Sequence, residues 1–177
     1  AFNLDGSSAW TVAVGSVGTN YNQSPVINDG FVYIKAGSTL QKWNSSGVLQ
    51  WSSPTAGIST QSAIMGNYVY VNSEGGQIRK YDKSTGVEVV AGGFPISTAS
   101  SQSALTAVDG KIFHKADMVY AYSASDGSLA WSAAAGGSST YYDSPAVANG
   151  VVYVYGFSDG KVYAFDENTG ATMAGFP

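Results

Sequence analysis

The sequence predicts an all-β fold, a β-propeller of four-stranded antiparallel blades, with about four to four and a half blades in the 177-residue chain. A short Ser-containing motif recurs along the chain at spacings of 38, 41 and 41 residues. Each copy is followed by a turn dipeptide and then by a run of β-branched and aromatic residues. The composition, with 22 Gly, 12 Tyr and 11% charged residues, suits short strands joined by tight turns. Four strands and three short connections per unit are typical of a propeller blade.

The first strand of each unit begins at the recurring motif. The four copies are Ser-Pro-Val at 24–26, Ser-Ala-Ile at 62–64, Ser-Ala-Leu at 103–105 and Ser-Pro-Ala at 144–146. The turn dipeptides that follow them are Asp29-Gly30, Gly66-Asn67, Asp109-Gly110 and Asn149-Gly150. Such a dipeptide between two apolar runs predicts a tight hairpin, since a type I′ turn needs positive φ at both of its central residues.

The remaining strands follow in a fixed order. The second strands are predicted at 31–34, 68–71, 111–114 and 151–154. The third strands end in an aromatic residue at Trp43, Tyr81, Tyr122 and Phe165. A second turn then closes on Gly47, Gly86, Gly127 and Gly170. A fourth strand follows, and it is clearest at 48–51 and 128–131.

The whole chain is interpreted as a single propeller domain or propeller fragment. Its predicted units are a half-blade at 1–22 and repeats at 23–60, 61–101, 102–142 and 143–177. Residues 1–10 match the end of a third strand, its turn and a fourth strand, so the second half of the unit occurs five times and the first half four times. A closed ring of blades needs equal numbers of first and second half-units. Either the chain belongs to a larger propeller, or another copy completes it, or one half unit has a different role.

The last unit carries a family resemblance. Residues 149–154, 159–166 and 169–170 resemble the PQQ-like propeller repeat, and the closing Trp of that repeat is matched at Trp10, Trp51 and Trp131. In the second and fourth units Phe94-Pro95 and Phe176-Pro177 stand instead, and we expect them to replace the Trp in packing against the next blade. The resemblance implies a propeller. Some members of the family are quinoprotein dehydrogenases that bind pyrroloquinoline quinone and Ca²⁺, and others are non-enzymatic scaffolds.

Charge and hydropathy exclude two classes of partner. The net charge is −4, and the eight Lys and Arg residues are scattered singly, whereas a nucleic-acid surface needs clustered cations. No apolar run approaches the roughly 18 residues that span a bilayer. The polar, charge-poor composition favours an extracellular, cell-surface or periplasmic location.

The sequence predicts no catalytic residue, cofactor or metal ligand. The chain has no Cys, so the vicinal Cys pair that commonly covers the quinone in the quinoprotein family is missing. The acidic residues mostly fall in predicted turns, where Asp forms Asx turns; the oxygen-rich segments 123–127 and 166–170 are therefore interpreted as turns rather than calcium loops. His114 is the only His, and we expect a packed aromatic residue rather than a catalytic base.

One polar residue precedes the repeat's Ser in every unit. These residues are Gln23, Gln61, Gln102 and Asp143, with Tyr21 and Tyr142 alongside. Because the first strands of a propeller line its channel, these side chains are candidates for ligand binding at the channel mouth. The simpler interpretation, which we favour, is that they bond backbone groups at the turn between blades.

The predicted function is that of a non-enzymatic, extracytoplasmic propeller that acts as a protein-interaction or assembly module. One alternative is a lectin-like, carbohydrate-binding propeller, because aromatic and amide side chains suit sugars. A second is a fragment of a larger quinoprotein-type dehydrogenase whose catalytic residues lie elsewhere. The expected partner is a protein or a glycan, with self-association through open blade edges as a further possibility.

Overall fold

A computed structural model describes residues 1–15, 24–55, 61–73, 75–101, 103–137 and 144–177. Its strands in chain order are β1 (Val26–Asn28), β2 (Phe31–Ala36), β3 (Thr39–Asn44), β4 (Leu49–Pro54), β5 (Ala63–Met65), β6 (Tyr68–Ser73), β7 (Gln77–Asp82), β8 (Ile96–Ser97), β9 (Thr106–Val108), β10 (Lys111–Lys115), β11 (Val119–Ser123), β12 (Leu129–Ala133), β13 (Ala146–Ala148), β14 (Val151–Gly156) and β15 (Lys161–Asp166). The described residues contain no helix.

The strands form four antiparallel sheets, which are the blades of a propeller. Blade 1 has the order β1-β2-β3-β4, blade 2 β5-β6-β7-β8, blade 3 β9-β10-β11-β12 and blade 4 β13-β14-β15. The innermost strand of each blade lies beside that of the next, β1 beside β5, β5 beside β9 and β9 beside β13, whereas β13 and β1 make no comparable contact. The predicted fold class is therefore confirmed, and the described blades follow an arc.

The hairpin turns between first and second strands occur at all four predicted dipeptides. Asp29-Gly30, Asp109-Gly110 and Asn149-Gly150 have positive φ at both central residues, as a type I′ turn requires. Gly66-Asn67 differs, because only Gly66 has positive φ, at 57°. That turn has the glycine-first arrangement of type II′, which makes the same two-residue hairpin with different backbone angles.

The core lies between blades rather than within them. Each blade has one face, here called the trailing face, that packs on the leading face of the blade after it. Tyr33 and Leu40 of blade 1 form one buried cluster with Val69, Val71 and Tyr81 of blade 2. The clusters between blades 2 and 3 and between blades 3 and 4 are built in the same way. These clusters form because side chains alternate between the two faces of the sheet along the second and third strands, so that every other side chain reaches the same face.

The closing Trp residues join consecutive blades. The indole nitrogen of Trp51 donates to the carbonyl oxygen of Lys83 over 3.2 Å, and that of Trp131 donates to the carbonyl of Glu167 over 2.9 Å. Each ring lies against the turn glycine of the following blade, so closely that a Cβ on Gly86 or Gly170 would come within 2.7 Å of the indole.

Phe94 replaces the Trp in blade 2, as the sequence predicts. Its ring centroid lies 6.0 Å from that of Tyr70, and Tyr33 and Trp51 of blade 1 are separated by the same 6.0 Å. Phe94 is buried with Tyr122 and Ile112 of blade 3. Phe176 also packs at 6.0 Å from Tyr153 of its own blade, yet it is 40% exposed. Among the described residues no further blade covers it.

Candidate binding site at the inner strands

A cleft of about 350 Å³ opens where the inner strands of the blades converge. Its walls come from β1, β5 and β9, with Gln61, Ser62 and Ser144 from the segments that lead into β5 and β13. Apolar side chains such as Ile64 alternate there with carboxamide and hydroxyl groups. None of the described residues that line the cleft is an Asp, Glu, Lys, Arg or His. The described lining is therefore uncharged and mixed in polarity, and the site is concave, which are common properties of ligand sites.

Gln61 and Ser62 line this cleft at the start of β5. Gln61 is half-buried, whereas Ser62 is only 5% exposed. The Ser62 hydroxyl has no hydrogen-bond partner among the described residues. A buried hydroxyl without a partner costs about 1–3 kcal/mol, so a ligand that bonds it recovers that free energy. Ala63, the next residue, is held opposite Tyr70 in the β5–β6 ladder, which fixes where Ser62 lies.

Gln61 is the one member of the predicted channel-mouth set that the structure describes. Gln23, Gln102, Asp143, Tyr21 and Tyr142 lie outside the described residues. A ring of polar groups around the channel therefore stays a prediction. Sequence reasoning does not single out Ser62, although a signal is present, because the equivalent Ser opens every repeat.

His114 lies far from solvent, in a polar network between blades 2 and 3. Its Nε2 is 3.0 Å from the Ser101 hydroxyl and its Nδ1 is 3.2 Å from the Thr98 hydroxyl. Thr98 in turn contacts the Tyr122 hydroxyl over 2.7 Å. Burial lowers the pKa of His114 to about 4, although Asp117 opposes this shift. The Ser101 hydroxyl donates to the Lys115 carbonyl, and both Ser101 and His114 are buried, so this Ser–His contact holds blades together and offers no route for a substrate.

Asp82 and Asp166 bond their own turns. Asp82 Oδ1 accepts hydrogen bonds from the backbone and side chains of both Ser84 and Thr85. These bonds lower the pKa of Asp82 to about 2, with the Ser84 hydroxyl as the largest cause. Asp166 bonds Asn168 and Thr169 in the same manner. The segments around Asp126 and Asp166 thus form Asx turns, in agreement with the prediction.

The described residues do not fit a quinone and calcium centre. No group of three or more His, Asp or Glu side chains comes together among them in a way that could hold a metal ion. The cleft at the inner strands provides no carboxylate from its described residues, and the imidazole of His114 is inaccessible. In the part of the chain that the structure describes, no helix is long and apolar enough to cross a membrane.

Solved structures share this arrangement of blades. BamB from Moraxella catarrhalis is 21% identical, with a TM-score of 0.75 over 95% of this chain and 52% of that one. A europium-containing methanol dehydrogenase is 14% identical, with a TM-score of 0.73 over 93% of this chain and 42% of that one. The computationally designed Ika4 protein is 16% identical, with a TM-score of 0.64 over 86% of this chain and 95% of that one. At these identities the likeness shows the fold alone.

The chain spans about half the length of the Moraxella protein, at 52%. No curated protein matches the sequence. A family model does match it, twice in succession, over residues 1–89 and 88–173. That model is described as outer membrane protein assembly factor BamB, and its two matches together span nearly the whole chain. The chain belongs to this family.

Proposed function

We propose that this chain is a non-enzymatic protein-interaction module of an extracytoplasmic propeller, and that it binds an uncharged, extended peptide segment in the cleft at the inner strands. The observation that carries the proposal is the Ser62 hydroxyl, buried without a partner in a cleft whose described lining has no charged side chain. Backbone amide and carbonyl groups of a peptide can bond Ser62 and Gln61, while its side chains contact Ile64 and its neighbours.

Membership of a family described as an outer membrane protein assembly factor supports a protein partner. It also supports a location at the cell envelope, which agrees with the charge-poor composition. Fold alone does not assign a function, because dehydrogenases share this architecture. The choice between a protein-interaction module and a dehydrogenase therefore rests on the residues of the site.

Those residues favour binding over catalysis. A quinoprotein reaction needs a carboxylate base and calcium-binding oxygens beside a flat aromatic floor. The described part of the cleft offers carboxamide, hydroxyl and apolar groups instead. A carbohydrate is the alternative ligand for amide and hydroxyl groups. The tyrosines proposed to stack on a sugar are Tyr21 and Tyr142, which lie outside the described residues. Self-association through open blade edges is a further mode of interaction that the fold permits.

A peptide array tests the proposal. Short uncharged peptides without proline are compared with charged peptides of equal length, and a glycan array is run beside them. The tightest peptide is then titrated against the wild type, Gln61→Ala and Ser62→Ala. The matched controls are Gln50→Ala and Ser52→Ala, the same residue types on the exposed side of the outer strand β4.

We expect each cleft variant to weaken peptide binding by roughly tenfold, since the loss of one hydrogen bond costs about 1.4 kcal/mol, while the β4 variants bind as the wild type does. Equal binding by Gln61→Ala and Ser62→Ala would contradict the proposal. Glycan hits that these two variants weaken, without peptide hits, would overturn it in favour of the carbohydrate alternative.

A further inference from the structure

We propose that Asn149 is a site of spontaneous deamidation, where the backbone nitrogen of Gly150 attacks the side-chain amide and converts it into a carboxylate in the folded chain. The site lies in the two-residue turn between β13 and β14. The reaction is a covalent modification of the chain itself and does not depend on what the inner cleft binds.

The sequence favours reaction at this asparagine. Asn149 is the only asparagine of the chain that is followed by glycine. A Cβ on the following residue crowds the approach of its backbone nitrogen to the side-chain carbonyl carbon, and glycine has no Cβ. Asparagine is among the chemically labile residues of proteins, and Asn149 is therefore the position of this chain where that chemistry is least hindered.

The structure leaves both reacting groups unrestrained. Asn149 and Gly150 are exposed, and the corresponding turns of the three preceding blades are exposed too, although another blade follows each of them. Among the described residues, neither the Asn149 side chain nor the Gly150 N–H has a hydrogen-bond partner. A Cβ on Gly150 would meet nothing within 4 Å. The backbone must rotate out of its turn angles for the two atoms to meet, and an exposed turn without these bonds resists that rotation least.

Other described asparagines lack this combination of features. The Asn44 side chain accepts hydrogen bonds from two backbone nitrogens of its own turn, over 3.0 and 2.9 Å. The Asn168 side chain accepts one from a lysine of blade 3 over 2.8 Å. Asn72 is 0% exposed. Asn67 is exposed but is followed by Tyr68, which has a Cβ. Reaction at these positions therefore has to overcome a hydrogen bond, burial or crowding that is missing at Asn149.

The reaction needs no partner except water. The Gly150 nitrogen forms a bond to Cγ of Asn149, the bond from Cγ to Nδ2 breaks, and Nδ2 leaves as ammonia with the proton of the Gly150 N–H. Water then opens the resulting cyclic imide. Cleavage of the new bond to Cγ gives Asp, whereas cleavage of the original peptide bond gives isoaspartate, whose main chain runs through Cβ. Either product makes the net charge of −4 more negative by one unit.

The Asp product fits the turn, because two other blades already carry Asp at this position. Asp29 and Asp109 have φ of 49° and 48°, close to the 53° of Asn149, and each precedes a glycine with positive φ. Asp29 is in addition held by Lys83 over 2.8 Å. Deamidation to Asp therefore converts the turn of blade 4 into the kind of turn found in blades 1 and 3.

The isoaspartate product does not fit in the same way. It lengthens the main chain inside a turn that is closed by the pair Ala148 and Val151. The Gly150 carbonyl of this turn also accepts a hydrogen bond from the Glu167 nitrogen over 2.8 Å. We expect the longer main chain to weaken both contacts and to loosen β13, the inner strand of blade 4.

Peptide mapping of the aged protein by mass spectrometry gives the first test. Trypsin divides this part of the chain into peptides 116–161 and 162–177. Asn149 is the only side-chain amide of the first peptide, and Asn168 is the only one of the second. During incubation of the folded chain at mildly alkaline pH, Asn149 should lose its amide roughly tenfold faster or more, a difference of about 1.4 kcal/mol in activation free energy. Equal rates of loss in the two peptides would overturn the proposal.

Two controls separate the folded turn from the sequence alone. The same incubation is carried out in urea, and amide loss that occurs only in the unfolded chain would show that the folded turn protects Asn149, contrary to the proposal. Asn149→Gly keeps the hairpin as a Gly-Gly turn and should show no mass change in its peptide. A mass gain that persists in this variant would place the reaction at another residue.

Urea denaturation distinguishes the two products. Asn149→Asp should unfold at the same urea concentration as the freshly purified wild type, because Asp fits the turn. The isoaspartate fraction of the aged protein, separated by chromatography, should unfold at a lower concentration. A marked loss of stability in Asn149→Asp, or none in the isoaspartate fraction, would contradict the structural account of the products.

Discussion

At the scale of single residues, the buried polar groups include some that hold the blades together and some that line the inner cleft. His114 belongs to the first kind, since it joins Ser101 and Thr98 between blades 2 and 3 and is fully buried. Ser62 belongs to the second kind, since it is buried without a partner among the described residues. Each makes a distinct prediction.

The pKa of His114 links stability to pH. Burial lowers it to about 4 in the folded chain, below the ordinary value of 6.5 that applies on unfolding. The unfolded state therefore binds more protons between these values, and stability is complete above pH 6.5 and falls as the pH drops toward 4. At pH 5 the loss amounts to about 2 kcal/mol. Because His114 is the only His, an NMR titration of its ring reports the pKa directly. A midpoint near 6.5 would show that the ring is solvated.

Two buried serines should respond oppositely to removal of the hydroxyl. Ser62→Ala removes a group without a partner, so the free energy of unfolding should stay unchanged or rise by about 1 kcal/mol. Ser53 is similarly buried, but its hydroxyl donates to the Gly86 carbonyl of the next blade. Ser53→Ala should lower the free energy of unfolding by about 1 kcal/mol. Urea denaturation measures both, and equal losses in the two variants would mean that Ser62 has a structural partner.

At the scale of the element, the turn glycines do more than permit a backbone angle. Gly30 and Gly86 have the same φ of 75°, yet a Cβ on Gly30 meets open space, whereas a Cβ on Gly86 would lie 2.6 Å from the Ser53 hydroxyl and 2.7 Å from the Trp51 ring. One glycine closes a hairpin, and the other receives the closing Trp of the previous blade.

Alanine at these two positions separates the two effects. Gly30→Ala should cost about 1 kcal/mol, the strain of a left-handed backbone at a residue with a Cβ. Gly86→Ala should cost about 2 kcal/mol more, because the Trp51 ring must move from its contact. Thermal or urea unfolding of the two variants gives the difference. Equal costs would show that Trp51 does not pack on this turn.

Much of the architecture of the elements could be predicted from the sequence because it is locally determined. The Asx-Gly dipeptides predict the hairpins, and alternation predicts which side chains reach which face. Local rules did not predict the fourth strand of blade 2. There the residues after Gly86 form only a bridge from Tyr81 to Glu88, and the paired strand β8 comes later, at Ile96–Ser97, after Gly92-Gly93. A Cβ on Gly93 would collide with the backbone of Asp126 in blade 3, a contact between blades that no short-range pattern reports.

The candidate site was less predictable than the fold. Position relative to the repeat predicts Gln61 at the channel mouth; the structure shows that Gln61 lines the cleft at the inner strands, and the channel mouth itself stays a prediction. The importance of Ser62 depends on whether its hydroxyl finds a partner, which follows from packing and not from residue type. The burial of His114 likewise follows from the neighbouring blade, although its packed character was expected.

At the scale of the whole molecule, the four blades carry an inner cleft whose described lining is uncharged. The matching family model is described as an outer membrane protein assembly factor, whereas dehydrogenases share the fold, so the absence of turnover is a prediction in its own right. We expect the 177-residue chain not to oxidise alcohols or sugars when pyrroloquinoline quinone, Ca²⁺ and an artificial electron acceptor are added. A quinoprotein dehydrogenase assayed in parallel is the control. A rate of substrate oxidation above that of the free quinone would contradict the non-enzymatic proposal.

Amide hydrogen exchange in the presence of the tightest peptide from the array tests the central claim most directly. Binding in the inner cleft should slow exchange in β5 and β9 and in the segment of Gln61 and Ser62, and should leave the outer strands β4 and β12 unchanged. The same experiment on Ser62→Ala should show weaker protection at the same peptide concentration. Protection confined to the outer strands β4 and β12 would mean that partners bind elsewhere on the propeller and that the cleft is not the binding site.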